Sequence, residues 1–155
     1  VIRYSKDPIP DDIRIVTSHD GLDVLCDGPE DGILLVAHGQ LCAEALAAVD
    51  QLDSPVRVVS PRWSLPVCGG LIEEAARARA VVSVEDGLVV SGLGSHLADA
   101  LSQRGMWRPI RSLGIPQRYL DHDSRSAIIA ELGLDSRGIA DAVSQLVAQL
   151  DGEYS

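Results

Sequence analysis

The sequence predicts an α/β fold of three layers, α/β/α, built on a mainly parallel five-stranded sheet with one antiparallel edge strand. Three observations carry that expectation. Short β-branched runs alternate with stretches of helical period, the pattern of βαβ units. Asp-Gly pairs and prolines punctuate the runs and set their ends. Finally, 155 residues suffice for one domain burying about 70% of its unfolded surface, and with no Phe the core must be Val, Leu, Ile and Ala.

The elements follow in order. The opening "VIRYSKDPIPDDIRI" reads as extended chain, because Pro8 and Pro10 lack amide donors and bias their predecessors away from helix. Lacking an initiator Met, it is expected to be a piece of a longer polypeptide, with residues 1–20 a linker and residues 21–155 the domain. "LDVLC" (22–26) and "ILLVA" (33–37) flank "DGPEDG" and read as an antiparallel pair joined by that loop. Leu41, Ala45, Ala48, Val49 and Leu52 then share one helical face, giving a helix over 41–52. "VRVVS" (56–60) is a strand stopped by "PRWSLP"; a helix over 70–78 and the strand "AVVSV" (80–84) follow.

A third helix spans 94–104, and "RPIRSL" (108–113) is a strand whose Pro109 belongs at its start or on an edge. In "SRSAIIAEL" the N-cap is Asp123 or Ser124, and Gly133 is the natural stop. The last helix, over 136–150, aligns Ile139, Val143, Leu146, Val147 and Leu150. Crossovers between the parallel strands are expected to be right-handed.

A formal charge of −10 argues against nucleic acid or an anionic membrane as partner. Residues 100–120 are the local exception: Arg104, Arg108, Arg111 and Arg118 with no acid, read as a solvated face or a complement to acidic neighbours. Cys26, Cys42 and Cys68 are odd in number and form no C-x-x-C pair, so neither a disulfide framework nor a zinc site is expected. With no leader and no apolar run of membrane-spanning length, a reducing, cytoplasmic setting is expected.

The stretch "VVSVEDGLVVSGLGSH" (81–96) bears most directly on function. A dinucleotide fingerprint needs three glycines directly after a strand, so that backbone can approach pyrophosphate at a helix N-terminus. Gly92 and Gly94 supply two, but Leu97 holds the third position, and the turn lies well beyond the strand. The turn is therefore read as packing geometry, with a helix N-terminus free to take an anion or a carboxylate. Glu85 and Asp86 sit at the strand's carboxyl end, where open α/β sheets place functional groups, yet adjacent side chains point to opposite faces and make no dyad.

No other candidate completes a site. His38 reads as a strand-end histidine rather than a base, and His122 belongs to the polar cluster capping the next helix. His19 and His96 have no partner by spacing, Ser91 and Ser95 lack the G-x-S-x-G elbow, and no metal-ligand spacing occurs. The expectation is no catalytic residue, no metal ligand and no bound cofactor in this chain.

"VVSPRWSLPV", "VVSVEDGLVVSGLGSHLADAL" and "LGIPQRYLDHDSRSAIIAELGLDSRGIADAV" together resemble the transketolase-like C-terminal domain of the 1-deoxy-D-xylulose-5-phosphate synthase family, across residues 33–147. The most specific part is the G-I-P…H-x-S-R…G-L-D pattern of residues 113–143. The resemblance implies a parent transferase condensing pyruvate with glyceraldehyde 3-phosphate, with loss of CO2, in isoprenoid (terpenoid) precursor biosynthesis. It implies thiamine diphosphate and Mg2+ held by two upstream domains, and a homodimer formed partly through the C-terminal domain.

By the same resemblance "VIRY" is the close of the preceding pyrimidine-binding domain, and Arg3 matches an arginine that binds the substrate phosphate. Lys6 stands where the family often has a second arginine. The family's Gly-Gly-x-Gly turn is here Ser91-Gly92-Leu93-Gly94, and His38 and Gly87 also depart from its pattern. The fragment is thus expected to be an inactive scaffold whose interface involves Glu85, Asp86, Gly92, Gly94, the helix after them and a sheet edge. The alternatives from other classes are the equivalent domain of a 2-oxo acid dehydrogenase β-type chain and a stand-alone anion-binding regulatory module.

Overall fold

A computed structural model describes residues 13–152. The chain runs β1 (Thr17–His19), β2 (Leu22–Cys26), β3 (Ile33–Ala37), α1 (Leu41–Val49), β4 (Val56–Pro61), α2 (Gly69–Arg77), β5 (Ala80–Leu88), α3 (Leu93–Ser102), β6 (Ile110–Ile115), α4 (Arg125–Glu131) and α5 (Ser136–Gly152). One sheet of order β1-β2-β4-β3-β5-β6 holds all the strands. β4, β3, β5 and β6 are mutually parallel, whereas β1 and β2 are antiparallel to their neighbours.

Strand parity explains the layers. Ile33, Leu35, Val56, Val58, Ala80 and Val82 point to one face and pack beneath α1 and α5. Leu34, Val36, Val59 and Val81 point to the other, beneath α2 and α3. The chain leaves β3 toward β4, then crosses back over β3 to reach β5, and right-handed crossovers in opposite directions place their helices on opposite faces. β3 is buried at every position because it has a parallel neighbour on each side and a helix layer on each face.

Three sequence expectations need correction. The sheet has six strands, not five: Thr17–His19 pairs with Leu22–Cys26 in a hairpin whose two-residue turn, Asp20-Gly21, takes φ of 40° and 77°. That Asp-Gly signal stood in "SHDGLD", but the flanking strand is largely exposed and shows no apolar alternation. Next, β2 and β3 are not a hairpin. β2 pairs with β4, and the connecting loop crosses the start of β4, where a Cβ on Gly28 would press on the Val56 backbone. A central strand flanked by two βαβ units leaves no edge for β2. Last, β5 continues through Glu85 to Leu88, with a register irregularity after Val84 against β6.

Boundaries elsewhere match within a few residues. Ser124 caps α4 by accepting from the Ala127 amide at 3.2 Å, and Gly133 ends that region at φ 66°. β6 is an edge strand just after Pro109. The arginines of residues 100–120 serve mainly internal contacts. Arg108 donates to the Ala78 carbonyl at 2.9 Å and to that of Ala76, closing the end of α2. Arg111 reaches the Ala142 carbonyl at 3.1 Å and the Gln149 side chain at 2.7 Å on α5, and Arg118 pairs with Glu131 at 3.3 Å.

An ionic cluster lies under α2. Arg57 of β4 and Glu74 of α2 are 8% and 2% exposed and meet with Nε–Oε2 at 2.9 Å and Nη2–Oε1 at 3.2 Å. Asp27 takes the remaining face of the guanidinium, and His19 and Arg77 each stand 3.5 Å from Glu74. Burial works against the charged guanidinium, but the hydrogen bonds and charges of Glu74 and then Asp27 outweigh it and raise the Arg57 pKa. Spacing had given His19 no partner; its partner is this distant glutamate.

Candidate functional site

Open parallel sheets place their sites at the carboxyl ends of the strands, where the direction of the crossovers reverses. In this chain that place lies between the ends of β3 and β5, occupied by His38, Gly39, Glu85, Asp86 and the turn leading into α3. Gly92 is the N-cap of α3, and no side chain within the turn caps the helix. The first amides are served from β5 instead: Leu93 N donates to Glu85 Oε2 at 2.9 Å. A carboxylate of the protein itself thus holds the position that an anionic ligand would seek, where the helix dipole favours negative charge.

The glycines are fitted to this arrangement. A Cβ on Gly92 would fall on the Glu85 carboxylate, and one on Gly94 would fall on the hydroxyls of Ser83 and Ser112. Gly114 lies against the Gly87 carbonyl at 2.9 Å from where its Cβ would stand. The turn is packing geometry, as its spacing implied. Glu85 and Asp86 diverge as expected of adjacent strand residues: Asp86 turns outward to pair with Arg125 of α4 at 2.6 Å.

Ser91, one of the departures from the family pattern, has φ of 60°. That left-handed conformation costs an L side chain roughly 1–2 kcal/mol and a glycine nothing. Ser91→Gly is therefore expected to stabilise the chain by about 0.5–1 kcal/mol, read as a raised urea midpoint at unchanged slope.

The remaining candidates separate. His38 packs at a strand end: its backbone N–H donates to Val84 O at 3.3 Å, and Nδ1 lies 3.2 Å from Pro61 O, so that nitrogen carries the proton. A cleft of about 330 Å3 beside it is also lined by Cys42, Ser60, Asp23 and Arg62. The Cys42 thiol donates to Ser60 Oγ at 3.4 Å, and burial raises its pKa, which opposes nucleophilic use. Asp23 is engaged by Ser18 at 2.6 Å and Arg62 at 3.2 Å; burial alone would raise its carboxyl, but these bonds bring it below the usual value.

His122 is exposed, and Ser124 with Asp123 does the capping beside it. Ser95 donates to Val89 O at 3.2 Å rather than to a catalytic base. Arg3 lies outside the described residues. Among the described residues no three His, Cys, Asp or Glu side chains are placed to hold a metal ion, and no helix is long and apolar enough to cross a membrane. What the sequence did not reveal is the Arg57–Glu74 pair, whose partners belong to different elements, and the engagement of Glu85 with α3.

Comparison with known proteins accords with this geometry. Residues 23–139 match the family described as "Transketolase, C-terminal domain". The whole chain is 99% identical to 25% of the 1-deoxy-D-xylulose-5-phosphate synthase of Cutibacterium acnes, and 99% of it aligns at 42% identity with 25% of synthase 2 of Streptomyces coelicolor. The chain thus spans about a quarter of the length of these curated relatives. Among solved structures, a split-gene transketolase described as an inactive β4 tetramer is 28% identical with a TM-score of 0.72, covering 88% of this chain and 45% of that one. A transketolase of Pichia stipitis shares the fold at 18% identity and a TM-score of 0.62, over 86% of this chain and 19% of that one. With the family's description covering most of its sheet and helices, the chain belongs to the transketolase C-terminal domain family.

Proposed function

We propose that the chain is the C-terminal domain of a cytoplasmic 1-deoxy-D-xylulose-5-phosphate synthase, and that it works there as a scaffold and homodimerisation unit. The observation that carries this is the 99% identity across the whole chain to one quarter of such an enzyme. In this reading the longer protein condenses pyruvate with glyceraldehyde 3-phosphate with loss of CO2, as a transferase feeding isoprenoid synthesis. Thiamine diphosphate and Mg2+ belong to its other domains. Arg3 contributes the substrate-phosphate contact.

The described residues do not fit that cofactor. The first amide of α3 that a diphosphate would need is engaged by Glu85, whose charge has the same sign. The described chain also brings no three acidic, His or Cys side chains together for Mg2+. Titration calorimetry of the 155-residue chain with thiamine diphosphate and MgCl2 is expected to show no saturable heat. The longer protein, under the same conditions, is expected to bind the cofactor and to release CO2 from pyruvate in the presence of glyceraldehyde 3-phosphate. Saturable cofactor binding by the short chain would overturn the scaffold role.

A further inference from the structure

Eight large hydrophobic side chains are exposed among the described residues, and five of them, Trp63, Leu65, Leu88, Val90 and Tyr119, belong to the carboxyl end of the sheet. They come from three loops that are distant in sequence: Trp63 and Leu65 follow β4, Leu88 and Val90 close β5, and Tyr119 follows β6. Leu88 and Tyr119 line one shallow depression together with Arg118. Trp63 is 75% exposed and Tyr119 fully so, while the two apolar cores lie complete beneath the helices. Apolar side chains exposed along one edge, two of them aromatic and with Arg118 beside Leu88 and Tyr119, have the composition of a buried contact rather than of a solvated surface.

We propose that this carboxyl-edge face is the seat of the preceding part of the same, longer polypeptide. The proposal rests on the domain reading above and adds the residues that make the contact. Three facts favour that occupant over others. The relatives carry about three-quarters of their length beyond the part this chain matches, and the matched family is by its description a C-terminal domain. Ile13 and Ile15 line a cleft beside β2 that extends to His38, Pro61 and Arg62, so the amino-terminal end of the described chain lies within reach of this edge. Asp151, near the other terminus, pairs with Arg79 beside the start of β5, at the opposite end of the strands. A domain joined through its amino-terminal side meets its neighbour at the carboxyl edge first.

Hydroxyl-radical footprinting read by mass spectrometry tests this on the 155-residue chain and on the longer synthase. Trp107, 77% exposed at the other end of the sheet, is the internal control, since these are the two tryptophans of the chain. The expected result is that oxidation of Trp63, Leu65, Leu88 and Tyr119 falls several-fold in the longer protein, to the same extent at every dilution, while that of Trp107 is unchanged. Protection of the longer protein that fades on dilution overturns the proposal in favour of a second copy. Equal oxidation of the edge in both proteins overturns the proposal, as does an edge already protected in the short chain at every dilution. Protection of the short chain that grows with its concentration also overturns it, in favour of a second copy.

A Leu88→Asp, Tyr119→Asp variant supplies a second measurement. It should leave the melting of the short chain unchanged and lower that of the longer protein; unchanged melting of both overturns the contact. Absence of synthase activity with a protected edge would defeat the enzyme assignment alone, and activity with an unprotected edge would defeat the contact alone.

Discussion

Arg57→Met is expected to cost the domain about 3–5 kcal/mol of unfolding free energy, measured by urea denaturation. The loss comes from Glu74, which is 2% exposed and would lose both of its short guanidinium bonds, keeping only the longer contacts with Arg77 and His19. Asp27, by contrast, has a side chain 73% exposed, and Asp27→Asn should cost less than about 1 kcal/mol. The double variant Arg57→Met, Glu74→Leu should recover most of the loss, because two apolar side chains of similar volume need no partner. The recovery, expressed as a coupling energy, isolates the pair from the rest of the core. A single-variant loss below about 1 kcal/mol would show instead that Arg77 and His19 close on Glu74 and neutralise it.

Gly92→Ala is expected to destabilise by about 2–3 kcal/mol, through the lost helix cap and a displaced half-buried carboxylate. The added methyl would occupy the place of the Glu85 carboxylate, which must then release the Leu93 amide. Glu85→Ala removes the same bond and the colliding group, so Gly92→Ala made on that background should cost far less than on the native one. Glu85→Gln keeps an acceptor and should cost under about 1 kcal/mol. Chemical denaturation of the four variants closes the cycle. Additive losses would mean that the glycine and the glutamate act separately.

How much of this could be read from the chain alone differs by element. The parallel units were legible because α1, α3 and α5 carry one apolar stripe each, and because Pro109 and Gly133 stand at the ends of their elements. β1 was not, because Thr17 and Ser18 face solvent on both sides and leave no alternation to find. The neighbour of β2 was misassigned because Asp-Gly pairs mark a turn without saying whether the next strand lies beside the last. Strand order is decided by which partner satisfies both edges of β3, a property of the whole sheet.

At the turn, glycine spacing allowed a carboxylate at the helix start, but Glu85 as its source depends on β5 continuing past Val84. The exposed edge was invisible for another reason. Trp63, Leu88 and Tyr119 are ordinary single apolar residues until the sheet assembles them.

The two faces of the sheet also differ in when they can be finished. Every fully buried residue beneath α2 and α3 lies between Leu22 and Leu101, and Met106 and Ile110 close that side soon after, so it can be finished once β6 has been synthesised. The opposite side draws Ile129, Leu134, Ile139, Val143, Leu146 and Leu150 from the last stretch of the chain. During translation, therefore, α1 can already cover β3 and β4 on that side, while the part over β5 and β6 stays wet until the final helix leaves the ribosome. The nascent domain spends that interval as a sticky, half-clad sheet, which makes it a natural client for a holding chaperone.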